Sequence, residues 1–266
     1  MDTKAIAKEI RKNIIRMTYA AGVQGAHIGG SLSLCEILAV LYHEVMNYNK
    51  DLPMDENRDR LILSKGHGAI ALYAALRSIG LLTDEELMTY KQNGSIITAH
   101  PTYLPQKGME FASGSLGQGL SIGVGVALAL KRKEKSAKVF VIVGDGECDE
   151  GSVWEAAASA YHYRLDNLIC LIDKNMLQYD GKTEDVLNMG SLADKFRSFG
   201  WDCVEIDGHN CEEISEMLHV NHDKPYAIVC NTIKGKGVSF IENEYKWHNA
   251  KLSDIQFAQA IEEQEE

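Results

Sequence analysis

A chain of 266 residues with 45% hydrophobic side chains can bury a large core, and at this length an α/β fold is often one domain. Its formal net charge of -11 argues against nucleic acid or an anionic membrane surface as partner. An anionic ligand must therefore be held locally, by helix N-termini, a few basic side chains or a metal ion.

In chain order, residues 2–21 read as an amphipathic helix with Ile6, Ile10, Ile14 and Met17 on one face. The segment lacks the apolar core and cleavage site of a targeting peptide, and no apolar run is long enough to span a bilayer. More helices are expected near 33–46, 67–79 and 84–92. Short apolar runs mark five strands, Leu61–Leu63, Val139–Val143, Leu168–Ile172, Cys203–Ile206 and Ala227–Cys230. Each is nearly all apolar, as for strands buried on both faces of a parallel sheet. Capping boxes are expected at Ser33…Glu36, Thr83…Glu86, Ser152…Glu155 and Ser253…Gln256. From Lys138 onward strands and helices alternate, the rhythm of a doubly wound, mostly parallel α/β sheet with helices on both faces. One domain over 1–266 is the reading, with a frayed acidic tail at 262–266. The six cysteines are scattered without metal spacing and read as reduced thiols of a cytoplasmic protein.

The sharpest feature is the run Val139-Phe-Val-Ile-Val143 leading into Gly144-Asp145-Gly146 and then a helix at Glu150-Gly151-Ser152. Glycines on both sides of the aspartate allow a sharp turn and leave room for a bulky ligand at the strand's carboxyl end. The helix N-terminus that follows favours phosphate oxygens. A carboxylate beside a diphosphate needs a cation between them, so Asp145 reads as a metal ligand, with Mg2+ the natural ion and Ca2+ admissible. The next strand ends in Asp173-Lys174-Asn175, where the Asn175 side-chain oxygen and a backbone carbonyl just beyond, Leu177, can complete the site.

Gly-Asp-Gly followed at this spacing by Asn at a strand end resembles the thiamine-diphosphate fingerprint. Five further segments resemble transketolase, in identity and order: Gly25-Ala-His27-Ile-Gly-Gly-Ser31, Ser64-Lys-Gly-His67-Gly, His100-Pro101, Ser113-Gly114-Ser115-Leu116-Gly117-Gln118-Gly119 and Trp247-His248. Lys234-Gly-Lys-Gly237 adds to them. The resemblance covers nearly the whole chain and is closest to the amino-terminal, diphosphate-binding half of transketolases made as two chains.

That resemblance implies a thiamine-diphosphate-binding fold and assigns roles. His67 is implied on the diphosphate side, and Gly144, Asp145, Gly146 and Asn175 at the cofactor. Gly114, Ser115 and Leu116 are implied to line the cofactor, or else to form a glycine-rich helix packed on the sheet. Glu150 is either an acidic residue between cofactor and partner domain or a first-turn carboxylate favoured by the helix dipole. His27, His100 and His248 are implied in the substrate channel, handling protons of a sugar. His43, His162, His209, His219 and His222 match no motif and read as fillers.

The glutamate that activates the cofactor in this family belongs to a pyrimidine-binding domain that no segment here resembles. A partner chain carrying that domain is therefore expected, with two copies of each chain and sugar phosphates as substrates. Two departures flank the substrate channel: Ile-Gly-Gly after His27, where many relatives have Pro-Gly, and Thr102 where Glu is frequent. They point to a sugar other than xylulose phosphate. A two-chain 2-oxo-acid decarboxylase or dehydrogenase component and a non-catalytic subunit that kept the fold remain as alternatives. A nicotinamide dehydrogenase fails because Gly117-Gln-Gly-Leu-Ser-Ile-Gly123 follows no strand.

Overall fold

The computed structural model describes residues 2–265; Met1 and Glu266, the two ends of the expected domain, lie outside the described residues. Helix α1 (Thr3–Ala20) is followed by the short α2 (Gly29–Leu32) and by α3 (Cys35–Val40), which runs on as a π turn over Leu41–Val45. Strand β1 (Arg60–Leu63) leads to α4 (Ala69–Ser78), α5 (Asp84–Leu87), an irregular stretch and α6 (Gln118–Arg132). The chain continues through β2 (Val139–Gly144), α7 (Gly151–His162), β3 (Leu168–Lys174), α8 (Thr183–Val186) and α9 (Leu192–Ser198). It closes with β4 (Asp202–Asp207), α10 (Cys211–His219), β5 (Tyr226–Asn231) and α11 (Asp254–Glu262).

All five expected strands form, in one parallel sheet of order β1-β2-β3-β5-β4. Side chains alternate across a strand, so an all-apolar run feeds two cores at once. Phe140, Ile142, Ile169, Leu171 and Ile228 pack with Ile10 and Ile14 of α1, Leu38 of α3, Leu72 of α4 and Ile214 of α10. Their neighbours Val139, Val141, Cys170, Ile172 and Val229 pack on the opposite face with Leu120 of α6, Ala157 of α7 and Phe196 of α9. The doubly wound reading thus holds, with helices on both faces.

Strand β4 departs from expectation. It pairs only with β5, and Val204, Glu205 and Asp207 are only partly buried or exposed, because an edge strand has a face that no neighbour covers. Capping boxes form at Thr83…Glu86 and Ser253…Gln256 but not at the other two places. Ser33 instead donates to the buried Asp173 carboxylate (2.7 Å), while Ser152 lies inside α7 and donates to the Gly117 carbonyl (2.9 Å). In both cases the hydroxyl is turned toward a tertiary acceptor rather than toward the local amide. The acidic tail is also ordered further than expected: Gln264 is buried and Glu265 pairs with Lys12 (2.7 Å). All six cysteines are free and buried. Among the described residues no helix is long and apolar enough to cross a membrane.

The carboxyl ends of β1, β2, β3 and β5 converge, which is where open α/β sheets bind ligands. Close packing of α6 on β2 sets one wall. A Cβ at Gly123 would stand 2.5 Å from Val141 Cγ2, whereas at Gly125, on the exposed side of the same helix, it would meet nothing within 4 Å. Gly125→Ala is therefore expected to stabilise the chain by about 0.5–1 kcal/mol through helix propensity. Gly123→Ala should destabilise it by about 1–3 kcal/mol through overpacking. Denaturant midpoints at unchanged m-value check both; equal shifts would show that the contact is absent.

Candidate active site

Each converging strand end delivers a different group. After β1 the chain turns through Ser64-Lys65-Gly66-His67, after β2 through Gly144-Asp145-Gly146-Glu147, after β3 through Asn175-Met176-Leu177, and after β5 it reaches Lys234. From these turns Lys65, His67, Asp145, Asn175, Leu177 and Lys234, with Gly30, Leu116, Tyr179 and His248, line a cavity of about 180 Å³. A larger cavity of about 340 Å³ opens at the opposite end of the sheet, near Lys131, Lys138, Asn167 and His222, but carries neither the glycine-rich strand end nor a histidine cluster.

At the centre of the strand ends lies Asp173, with no exposed surface. It forms a buried ion pair with Lys65 and accepts from Ser33 Oγ (2.7 Å), Asn175 Nδ2 (3.2 Å) and Thr232 Oγ1. Burial pushes its carboxyl up, but the Lys65 charge and the hydrogen bonds outweigh that and hold it below the usual carboxylate range. Because Asn175 spends its amide N–H on Asp173, its Oδ1 is left as an acceptor, shared only with the Leu177 N–H (3.2 Å).

Asp145 accepts from Gly146 N (2.8 Å) and Met176 N (2.6 Å), which ties the β2 and β3 ends together. Burial, reinforced by the Asp173 charge, pushes its carboxyl up to about 6. Such a destabilised carboxylate fits a divalent cation, which would supply the missing positive charge. Among the described residues no three His, Cys, Asp or Glu side chains cluster as a metal cage. The donor set is instead one carboxylate, one amide oxygen and one carbonyl, the kind that suits Mg2+ completed by phosphate oxygens. The Leu177 carbonyl also accepts from Lys234 Nζ (2.9 Å); its two lone pairs allow both roles.

Four histidines meet above this floor. The His27 ring centroid lies 5.6 Å from that of His67, 5.8 Å from His100 and 5.4 Å from His248, and His67 lies 5.1 Å from His248. Burial, with nearby cationic groups, lowers all four: His27 to about 4, His248 to about 3, His67 well below its ordinary value, and His100 more modestly. They are therefore neutral hydrogen-bonding groups at pH 7, and the positive charge facing an anion comes from Lys65 and Lys234. His67 can therefore serve an anion by hydrogen bonding rather than by charge. His27 Nδ1 is buried without a protein partner. At Gly30 a Cβ would stand 3.4 Å from Lys65 Nζ and 3.5 Å from His67 Nε2, so a side chain there would crowd both groups.

Not every expected residue reaches the cavity. Leu116, His67 and His248 line it, whereas His27 stands behind those two rings and His100 behind His27, Gly114 and Ser115 are exposed beside it and Glu150 is an exposed N-cap of α7. Three buried groups carry no such signal in the sequence. Glu147 accepts from Gly117 N (2.7 Å), Gly144 N (3.1 Å) and Ser64 Oγ, so it pins two backbone segments of the wall. Lys65 and Lys234 are the other two. All three stand within or beside the motifs quoted above, and their near-complete burial, which only the fold reveals, is what marks them.

A family model described as the thiamine diphosphate binding domain of transketolase matches residues 3–264. An apulose-4-phosphate transketolase subunit of Phocaeicola vulgatus is 40% identical over 256 residues, covering 95% of this chain and 90% of that protein. A 6-deoxy-6-sulfo-D-fructose transketolase subunit of Clostridium sp. is 43% identical over 268 residues, covering 100% of this chain and 97% of that one. Among solved structures, transketolase from Campylobacter jejuni superposes with a TM-score of 0.90 at 30% identity over 98% of this chain, which spans only 43% of that longer chain.

The raised Asp145 carboxyl gives a stability prediction. Its ionised form is disfavoured in the fold, so the deficit is fully present above pH about 6 and vanishes as pH falls to the ordinary value of 3.8. Without added ligands, Asp145→Asn should stabilise the chain at pH 7.5 by about 1–2 kcal/mol, after about 1 kcal/mol is lost with the Met176 contact. That advantage should disappear by pH about 4. Urea unfolding across this range checks it; an advantage independent of pH would contradict the burial account.

Proposed function

The chain belongs to the transketolase family by its thiamine diphosphate binding domain, and from that premise we propose that it moves a two-carbon ketol unit from a ketose to an aldose together with a partner chain. The observation that carries this reading is the cluster of four histidine rings, in which His67 and His248 line the cavity, His27 stands against both and His100 against His27. A substrate with many hydroxyl groups needs several neutral donors and acceptors, whereas a 2-oxo acid needs few. That difference favours a sugar over the decarboxylase and dehydrogenase alternative. The intact strand-end groups disfavour a subunit that has lost catalysis.

Bound thiamine diphosphate would supply the electron sink for breaking and forming the C–C bond. Asp145, Asn175 and the Leu177 carbonyl would hold Mg2+ on the diphosphate, with Lys65 and Lys234 offsetting its charge and His67 donating to it. Gly144 and Gly146 leave room for the cofactor, Leu116 with Gly114 and Ser115 borders it, and Glu150 faces the partner. Lys234 Nζ donates to His248 Nδ1 (3.0 Å), which leaves the proton on Nε2 and makes His248 a donor toward substrate. His27 and His100 would exchange protons with substrate hydroxyls.

Support for the partner comes from the open cavity and the exposed apolar residues on the strand-end loops and α6, among them Ile122, Met176, Tyr179 and Leu187. Two relatives are themselves named as subunits. A partner carrying the pyrimidine-binding half, with two copies of each chain, fits this surface, and the six free thiols fit a reducing, cytoplasmic setting. The substrate class is a phosphorylated or sulfonated ketose, in keeping with the Ile28-Gly29 and Thr102 departures and with the substrates in the relatives' names.

Ketol transfer should be found only when this chain is mixed with its partner, in the presence of thiamine diphosphate and Mg2+. A panel of xylulose 5-phosphate, apulose 4-phosphate, 6-deoxy-6-sulfofructose and pyruvate separates the readings. Turnover of a ketose supports the proposal; turnover of pyruvate alone, or activity of the single chain, contradicts it. In the active mixture His248→Ala should lower kcat/KM by about 10² or more while leaving cofactor affinity within about threefold. An unchanged kcat/KM would remove His248 from the substrate channel.

A further inference from the structure

His209, which matches no motif, sits in the turn between β4 and α10 with little exposure. Its Nε2 accepts the Ile233 N–H at 2.8 Å, and its Nδ1 meets Glu36 Oε2 at 2.9 Å. The first contact requires Nε2 to be bare, so the proton stands on Nδ1 and is donated to Glu36. Glu36, on α3, also forms a buried ion pair with Arg11 of α1, and Arg11 Nε donates to the Lys236 carbonyl at 2.9 Å. Two arms of one buried cluster therefore grip the backbone on either side of Lys234, at Ile233 and at Lys236.

The gripped loop is shaped for this hold. Gly235 and Gly237 have φ of +85° and +84°, and a Cβ at Gly237 would stand 2.6 Å from Arg11 Cδ. Gly235 N donates to the Gly29 carbonyl (2.9 Å), next to Gly30 in the cavity wall. From this loop Lys234 Nζ reaches the Leu177 carbonyl (2.9 Å), the Gln178 carbonyl (3.2 Å) and His248 Nδ1 (3.0 Å). Burial raises the cost of ionising Glu36, yet the hydrogen bond from His209 and the Arg11 charge hold its carboxyl below the usual range. The cluster is thus internally satisfied.

We infer that His209, oriented by Glu36 and Arg11, is a positioning residue: it fixes the loop that aims Lys234 at the Leu177 carbonyl and at His248. It touches neither cavity nor ligand and acts through Lys234, as outer-shell partners act through inner ones. The inference concerns Lys234 itself; only its consequence for cofactor affinity rests on the function proposed above.

Three readouts on the full chain test it. In the folded wild type, nitrogen-15 NMR should show the His209 ring protonated at Nδ1 and bare at Nε2; the opposite tautomer overturns the inference. In His209→Ala, hydrogen exchange of the amides at 232–237 should rise about tenfold or more, with the central strands unchanged. His209→Gln, which can still accept from Ile233 and donate to Glu36, should restore protection to within about threefold. Equal protection in wild type and Ala variant, or a Gln variant no better than Ala, overturns it. Thiamine diphosphate affinity should follow the same order, about tenfold weaker in Ala and restored in Gln. If the wild type binds no thiamine diphosphate, the proposed function fails and the NMR and exchange results alone decide the positioning role.

Discussion

A fully buried carboxylate, Asp173, draws donors from four separate segments: Ser33 before α3, Lys65 after β1, Thr232 after β5 and Asn175 just beyond its own strand. Leaving a buried charge unpaired costs about 3–5 kcal/mol, so the segments that supply its donors are held against the end of β3. That convergence brings His67 and Lys65 on one strand end, Asn175 on the next and Lys234 on a third into one cavity. It also orients the Asn175 amide, whose N–H faces Asp173 and whose oxygen remains to accept. Glu147 performs the corresponding task on the neighbouring strand end, where it gathers Gly117, Gly144 and Ser64. The site rests on two buried acids, each of which spends its oxygens on donors of the protein itself.

The charge arrangement follows from that design. Concentrating Asp145 and Asp173 in a buried floor is unfavourable for Asp145, and the strain is local and chemical, relieved by a cation. Above the floor, burial keeps the histidines neutral, so they can donate and accept hydrogen bonds without carrying charge, and an anionic ligand would raise their affinity for protons. A chain of net charge -11 could in this way hold an anionic cofactor: two lysines, with the proposed metal ion, would supply the field that the molecule as a whole lacks.

How much of this is legible in the sequence depends on whether the signal is local. Strands β2 and β3 announce themselves as apolar runs ending in Gly-Asp-Gly and Asp-Lys-Asn, so the strand-end motif and its place in the sheet can be read directly. The edge position of β4 cannot, because Cys-Val-Glu-Ile differs little from a central strand until its neighbours are known. Ser33 and Ser152 look like helix caps, since a hydroxyl three residues before a glutamate carries no sign of the distant acceptor that takes it. His209 is silent for the same reason: its partners Glu36 and Ile233 are 173 and 24 residues away. Lys65 and Lys234 stand inside recognisable motifs, yet only their burial distinguishes them from solvated lysines.

The central claim is that the ends of β2 and β3 bind thiamine diphosphate through a divalent cation. Calorimetric titration of thiamine diphosphate into the chain paired with its partner, with Mg2+ and with the ion chelated, tests it directly. Saturable binding that requires Mg2+ and is abolished by Asn175→Ala is the predicted result. Binding of equal affinity without the metal, or unaffected by that substitution, would contradict the account.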